Sequence, residues 1–430
     1  MRILQASEFD EYWRRQTEKP QDPAVRAQVE EILAGVRAEG DEGVKKFARH
    51  FDKSSPESLE VPREKIDQAY ARLRGQEPEL AGALALAAKR IRAFADRQKE
   101  QFENFTYEIA PGVLAEQRVV PVSRAGVYVP GGRFPLISSA LMGVIPALAG
   151  GVPEVMLASP PLEDGFPDWR ILGAGALAGV HRVFAVGGAQ AIGALAFGTE
   201  SIPRADVIVG PGNKYVALAK QLLFGAVGLD FVAGPTDVLV ISDGKPDWVA
   251  ADLLAQAEHD PEAKPRALLS SPALAEAVLR HLEEGLAGPA GGETARASLA
   301  GEGLLIVSPN MEESIRIADI LAPEHLELHV ADPEPWVSRF RNYGSLFIGS
   351  LAGEVLGDYS AGLNHTLPTS GTARFSGGLS VRHFLKTLTA LRCSPGTGFT
   401  ESVRAAEHIA LAEGLPAHRK SAGLRAPGGV

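Results

Sequence analysis

The sequence predicts an α/β protein built from two Rossmann-like parallel-sheet units, with a helical N-terminal region and a helical C-terminal dimerisation tail. Three observations predict it. Short β-branched runs alternate with Ala/Leu-rich stretches at helical spacing from about residue 119 to 243, and again from about 267 to 348. Three of the runs end in glycine-rich turns, the punctuation of a parallel sheet covered by helices. The chain has 430 residues, 45% of them hydrophobic, and a mean hydropathy near zero, so it can bury more than one sizeable core.

Taken in order, residues up to about 115 read as helical scaffold. Val25, Val29, Ile32, Leu33 and Val36 recur at helical spacing, Asp41 is placed to cap the next helix, and 80–102 reads as a long amphipathic helix. In the first unit Val127-Tyr-Val129 leads into Pro130-Gly-Gly132, Val183-Phe-Ala-Val186 into Gly187-Gly-Ala-Gln190, and Val207-Ile-Val209 into Gly210-Pro-Gly-Asn213. Helices are expected over 136–149, 189–197 and 214–224. In the second unit strands are expected near 267–270, 304–307, 326–330 and 345–348, with helices over 272–284 and 311–321; 285–292 reads as a surface loop. Beyond about Ser380 the chain turns helical again, over 381–391 and 400–413. That tail is too short to bury a core alone, so it is expected to pack on a neighbour, another subunit included.

Composition narrows the partners. The net charge of −10 disfavours nucleic acid, which calls for a basic surface. No apolar run approaches the roughly 20 residues that span a bilayer, and the first ten residues lack the apolar core of a signal peptide. A single cysteine, Cys393, excludes an internal disulfide, suits a reducing cytoplasm and argues against thiolate-bound zinc.

Four segments carry candidate chemistry. Ala322-Pro-Glu324-His325-Leu-Glu327 sets a carboxylate beside an imidazole, a proton acceptor and a water activator between a helix and a strand. Gln256 and His259, three apart on a helix expected over 248–259, have metal-ligand spacing. Asp358 to His365 puts a carboxylate and an imidazole in a glycine-rich loop, and Glu413-Gly-Leu-Pro-Ala-His418 follows a helix that Gly414 caps. A mixed set of His259, His418, Asp358 and Gln256 suits zinc, manganese or cobalt equally, and spacing alone leaves open that each histidine serves a local hydrogen bond. The glycine turns suit phosphate at helix N-termini, but they contain no GxGxxG fingerprint and no acidic residue is placed to hold a ribose.

Over essentially its whole length the chain resembles the histidinol dehydrogenases. The resemblance lies in Gly126-Val-Tyr-Val-Pro-Gly-Gly132, the run from Gly187 to Thr199, Val209-Gly-Pro-Gly-Asn213, Ala233-Gly-Pro-Thr236, Gln256-Ala-Glu-His259, Ala322 to Glu327, Gly357-Asp-Tyr359 through Asn364-His-Thr-Leu-Pro-Thr369, and Glu413 to His418. It implies a cytoplasmic, NAD-dependent homodimer with one Zn2+ per subunit and shared active sites, oxidising L-histidinol through L-histidinal to L-histidine in the last steps of histidine biosynthesis.

Residue by residue, the resemblance makes Gln256, His259, Asp358 and His418 the zinc ligands, with His418 expected from the partner subunit. It makes His325 the general base and Glu324 the activator of water, with zinc positioning the substrate. Tyr128, Gln190 and Asn213 become NAD contacts. Thr236, His365 and Glu413 become substrate contacts, together with Gln256, His259, His325, Asp358 and His418. The implied division is an N-terminal helical arm (1–24), a main catalytic domain (25–131 and 236–379), a second, NAD-binding Rossmann-like domain (132–235) and a helical tail (380–430) serving the partner's site. Thr236-Asp237 stands where many members have Ser-Glu, and Asp260 where many have glycine; the hydroxyl is kept, and Asp260 adds charge beside a ligand. The nearest rival is a paralogous zinc- and NAD-dependent dehydrogenase of another small polar alcohol such as sulfopropanediol. Glu324 and Glu413 favour a cationic amine over a sulfonate. A zinc hydrolase is the rival from another class, and the absence of an HExxH helix weighs against it. A non-catalytic nucleotide or metal sensor would tolerate loss of the Glu324–His325 pair.

Overall fold

The structure is a computed structural model, and it describes residues 1–15, 22–52, 54, 56–131, 135–231, 234–288 and 291–426. Gly132 and Ala233 of the glycine motifs, and two residues of the loop expected over 285–292, lie outside that set. The chain forms two compact units, Met1–Asp96 with Ser123–Phe384, and Arg97–Val122 with Leu385–Val430.

The larger unit holds both predicted parallel sheets. In the five-stranded sheet the order is Arg182–Ala185, Glu154–Ser159, Arg124–Tyr128, Val207–Val209, Gly228–Leu229, all parallel. Its apolar runs are buried because the helices Ile137–Gly150, Trp169–Ala178, Gly188–Phe197 and Lys214–Leu222 alternate with the strands in sequence and cover them. Burying one Val, Leu or Ile is worth roughly 1.5–3 kcal/mol against about 1 for a helix cap, so these runs, more than the turns, dictate the sheet. The sheet begins at Arg124, ahead of the expected boundary at 132, so the strand ending at Tyr128 pairs with the glycine-turn strands.

The six-stranded sheet is also parallel, in the order Arg2–Gln5, Leu304–Val307, Lys264–Leu269, Asp237–Ser242, His325–His329, Ser345–Ile348. One face packs against Pro246–Ala257 and Pro272–Leu286, the other against Met311–Leu321. Two expectations about the N-terminal region change. Residues 2–5 form an edge strand rather than part of a helical arm, because main-chain pairing with Leu304–Val307 outweighs the propensity of so short a segment. Asp41 stands at a break in the helix Pro23–Phe51, where Gly40 has φ 57, and its carboxylate accepts from the N–H of Ser201 (3.3 Å) instead of capping its own helix.

The smaller unit contains a three-stranded antiparallel sheet, Leu385–Cys393, Val113–Pro121, Phe105–Ala110, and the helices Thr397–Ala412 and Pro416–Gly423. Residues 381–391, expected to be helical, are a short 3-10 turn (Val381–Phe384) followed by a strand. Val381, Phe384, Leu388 and Leu391 imitate helical spacing, but nine residues pair along Val113–Pro121 and that ladder prevails. No helix among the described residues is long and apolar enough to cross a membrane.

Candidate active site

The first half of the site is built where the strand order of the five-stranded sheet reverses, between Arg124–Tyr128 and Val207–Val209. Open α/β sheets hold ligands there, beyond the carboxyl ends of the strands. The buried Tyr128 hydroxyl accepts from the N–H of Gly188 (3.1 Å), and burial pushes its phenol up to about 12. Gly210 has φ 118, and a Cβ there would lie 2.1 Å from the carbonyl oxygen of Tyr128, so the turn requires glycine. A buried ion pair pins this turn from behind: Lys220 Nζ donates to Gly210 O (3.0 Å) and pairs with Asp230, whose Oδ2 accepts from Gly210 N (2.8 Å). Asn213 caps the helix that follows, its Oδ1 accepting from the N–H groups of Tyr215 (3.0 Å) and Val216 (3.2 Å). Buried Gln190 donates from Nε2 to Asp52 Oδ2 (3.2 Å).

These residues open on a cavity of 1240 Å³, lined among others by Asp52, Tyr128, Gln190, Asn213, His259 and Tyr359. An acidic residue therefore does line the cavity. Asp52 ends the helix Pro23–Phe51, far in sequence from the glycine turns, and burial pushes its carboxyl up to about 6 against the donors Gly187 and Gln190. No spacing rule applied to the turns could have found it.

The second half lies at the amino ends of two adjacent strands of the six-stranded sheet. Parallel pairing aligns His325 with Val238, and Glu324 and Asp237 stand just outside that register. Glu324 is 6% exposed; its Oε2 accepts from Thr236 Oγ1 (2.6 Å) and from Asp237 N (3.2 Å), and its own N–H donates to Asp237 Oδ1 (2.6 Å). Burial pushes its carboxyl up to about 7, with His325 opposing and Asp237 assisting. His325, 3% exposed, has Nδ1 3.2 Å from Asp237 O, 3.6 Å from Glu354 Oε1 and 3.9 Å from Glu324 Oε2, and Nε2 3.5 Å from Asp358 Oδ1. Burial alone would lower its pKa, but the carboxylates of Glu354, Glu324 and Asp358 outweigh burial and hold it well above the ordinary value.

The predicted metal ligands divide. Gln256 is buried on the helix Pro246–Ala257, whereas His259 is exposed and lies two residues past its end. The Gln256 carboxamide donates from Nε2 to Thr236 Oγ1 (2.8 Å), whose one proton goes to Glu324. Asp358 is on a short helix, Glu354–Tyr359, rather than in a loop. His259, Asp358 and Glu354 present ligand atoms within 4.8 Å of one another. This nitrogen and oxygen donor set, with Gln256 beside it, fits zinc. Burial would raise Asp358, yet His325, with His365 and His259, holds it below the usual carboxylate range. His365, half-buried, sits 3.2 Å from Ser138 Oγ, and burial lowers it. Glu413 and His418 belong to the smaller unit and are exposed there; Gly414, at φ 72, ends the helix before them as expected.

In this half of the site Glu354 and Asp237 are carboxylates that the motifs do not single out. Glu354 precedes Asp358 by one helical turn, and Asp237 is the one charged residue opening an otherwise buried strand. Both signals were in the sequence.

Comparison with known proteins identifies the family. A family model described as histidinol dehydrogenase matches residues 14–426. The chain is 46% identical over 407 residues to the histidinol dehydrogenase of Thermus thermophilus, covering 94% of this chain and 95% of that one. It is 45% identical over 412 residues to that of Methylococcus capsulatus, covering 94% and 92%. The crystal structure of histidinol dehydrogenase from Elizabethkingia anophelis superposes with a TM-score of 0.90 at 34% identity, covering 99% of this chain and 97% of that one. With the match running through both sheets and every glycine turn, the chain belongs to the histidinol dehydrogenase family.

Proposed function

We propose that this chain oxidises L-histidinol through L-histidinal to L-histidine, using two NAD per turnover, in a homodimer whose sites are shared. The observation that carries the reading is the single cavity running from the glycine turns to His259, beside which the buried Glu324–His325 pair meets Asp358. Residues 132–235 with the strand before them form the NAD-binding domain, and the smaller unit serves the partner's site. Tyr128, Gln190 and Asn213 contact the cofactor; Thr236, His365 and Glu413 contact the substrate.

NAD, when bound, accepts the hydride of each oxidation. Gln256, His259, Asp358 and His418 of the partner subunit would hold zinc, which when bound engages the substrate's imidazole and amine and fixes their orientation. With Asp358 engaged on zinc, the carboxylate charge that keeps His325 protonated would be offset, and with Nδ1–H donating to the carbonyl of Asp237 the neutral ring has Nε2 free to take the alcohol proton. Glu324 is held through Oε2 by Thr236 and Asp237, leaving Oε1 to draw a proton from water as it adds to the aldehyde. A carboxyl near 7 is matched to that task at neutral pH.

The test is NADH formed per L-histidinol consumed by purified protein, before and after chelation and zinc add-back. Two NADH per substrate, lost with the metal and restored by zinc, is the expected result. No NADH from folded, zinc-loaded, NAD-binding protein would overturn the substrate and turn attention to other small polar alcohols.

A further inference from the structure

Behind the catalytic pair the same strand carries a second polar group that the reaction does not use. Residues alternate along His325–His329, so Glu327 and His329 face the same side as His325, towards the helix Pro246–Ala257. There they meet Asp252, one turn before Gln256. Glu327 is 0% and His329 2% exposed. Asp252, Glu327 and His329 offer one ligand atom each, all within 4.8 Å of one another. His329 Nε2 is 3.3 Å from Glu327 Oε2, and His329 Nδ1 is 4.0 Å from Asp252 Oδ2. Among the described residues, neither ring nitrogen of His329 nor Oε2 of Glu327 has a hydrogen-bond partner.

An imidazole with both nitrogens buried and unpartnered costs folding free energy, as does a carboxylate oxygen in the same state. The arrangement asks for something that accepts electron pairs from both. Glu327 Oε1 is already engaged by the N–H of Glu354 (2.5 Å), which turns Oε2 towards His329. Burial and the facing Asp252 push Glu327 up to about 8, and burial pushes Asp252 up to about 6 against its hydrogen bond with Glu327, so with no cation between them the two carboxyls share a proton. The position also favours a ligand. In chain order, leaving aside the edge strand Arg2–Gln5, the six-stranded sheet runs 3-2-1-4-5, its order reverses between Asp237–Ser242 and His325–His329, and His329 is the last residue of its strand. The Asp252 side chain is 19% exposed and gives access from outside.

We propose that Asp252, Glu327 and His329 bind a second divalent cation, of the zinc or manganese type, separate from the site at His259 and Asp358. One nitrogen and two carboxylate donors suit those ions. Because Glu327 also holds the first turn of Glu354–Tyr359, the cation fixes the helix that carries Asp358.

The experiment is metal counting on the full-length protein, stripped with a chelator and dialysed against Zn2+ or Mn2+ alone. Wild type should hold two ions per chain, and His259→Asn and His329→Gln one each by loss of different sites. Their combination should hold none. One ion in wild type that disappears in His259→Asn would overturn the proposal, as would two ions retained in His329→Gln. If His329→Gln does not fold, Asp252→Asn replaces it. Anomalous scattering at the zinc edge from zinc-soaked wild-type crystals decides the matter without any variant. A peak among Asp252, Glu327 and His329 supports the site; its absence overturns it and leaves a proton shared by the two carboxyls. None of these readouts depends on which alcohol the enzyme oxidises.

Discussion

Thr236→Val removes one hydroxyl from the middle of the site at nearly constant shape. That hydroxyl donates to Glu324 Oε2 at 2.6 Å, and Glu324 keeps only the longer bond from Asp237 N at 3.2 Å. A hydrogen bond to a charged group contributes about 1.5–3 kcal/mol. At 1.36 kcal/mol per pKa unit, its loss raises the carboxyl by about 1–2 units, from about 7 into the range above 8. The sign follows from the bond favouring the charged form, so removing it favours the acid. At pH 7 the ionised fraction of Glu324 then falls from about one half to about one tenth or less, a rate loss of roughly fivefold or more in the step where it acts as base. The assay is the pH dependence of kcat measured separately with L-histidinol and L-histidinal. The acidic limb for the aldehyde, where Glu324 must lose its proton, should move up by about one unit or more while that for the alcohol stays, and Thr236→Ser should restore it. An unshifted limb, or an equal shift in both steps, would refute the role of Thr236 as the group that sets Glu324.

Mixing His325→Asn with His418→Ala subunits should restore roughly a quarter of wild-type activity, because half of a random mixture is heterodimer and each heterodimer has one intact site; no recovery after verified subunit exchange would place each site within one chain. Lys220→Met leaves Asp230 buried without its cation and should cost about 3–5 kcal/mol in urea unfolding, partly recovered by adding Asp230→Asn; an unchanged midpoint would show that the Gly210 turn does not need the pair. Asp52 has a folded pKa raised to about 6 from 3.8, so the folded state binds the extra proton between those values and stability falls as pH rises through the window, by about 1–3 kcal/mol from this group. The stability slope between pH 4 and 6 should therefore flatten in Asp52→Asn; an identical slope would mean the carboxyl is not desolvated.

What the sequence made legible follows the range over which each signal acts. Strands such as 304–307 and 345–348 and the helix 311–321 were readable because burial period and turn residues are local. The strand Leu385–Cys393 was not, since its residues are mostly exposed and only pairing with a segment nearly three hundred residues earlier makes it a strand. Gln256, Asp358 and His325 were found through motif and resemblance, and the fold brings them together. Asp52 was invisible because its place in the cavity is set by helix packing and not by spacing from the glycine turns.

The two parallel sheets share one strand order, 3-2-1-4-5 with Arg2–Gln5 added to the larger, yet they are used from opposite edges. In the five-stranded sheet the cavity is lined at the carboxyl ends, by Tyr128 and by the turns at Gly188 and Asn213, where helix N-termini present donors suited to an anionic ligand. In the six-stranded sheet the buried titratable groups Asp237, Glu324 and His325 stand at the amino ends. The opposite end of that sheet, ordinarily its ligand edge, would then be free of any task in the oxidation. It is nevertheless where, among the described residues, Oε2 of Glu327 and both ring nitrogens of His329 are buried without hydrogen-bond partners, a cost that packing does not require. A ligand at that edge accounts for the cost, and the same strand then links it to catalysis, since Glu327 and His325 are two residues apart on one face.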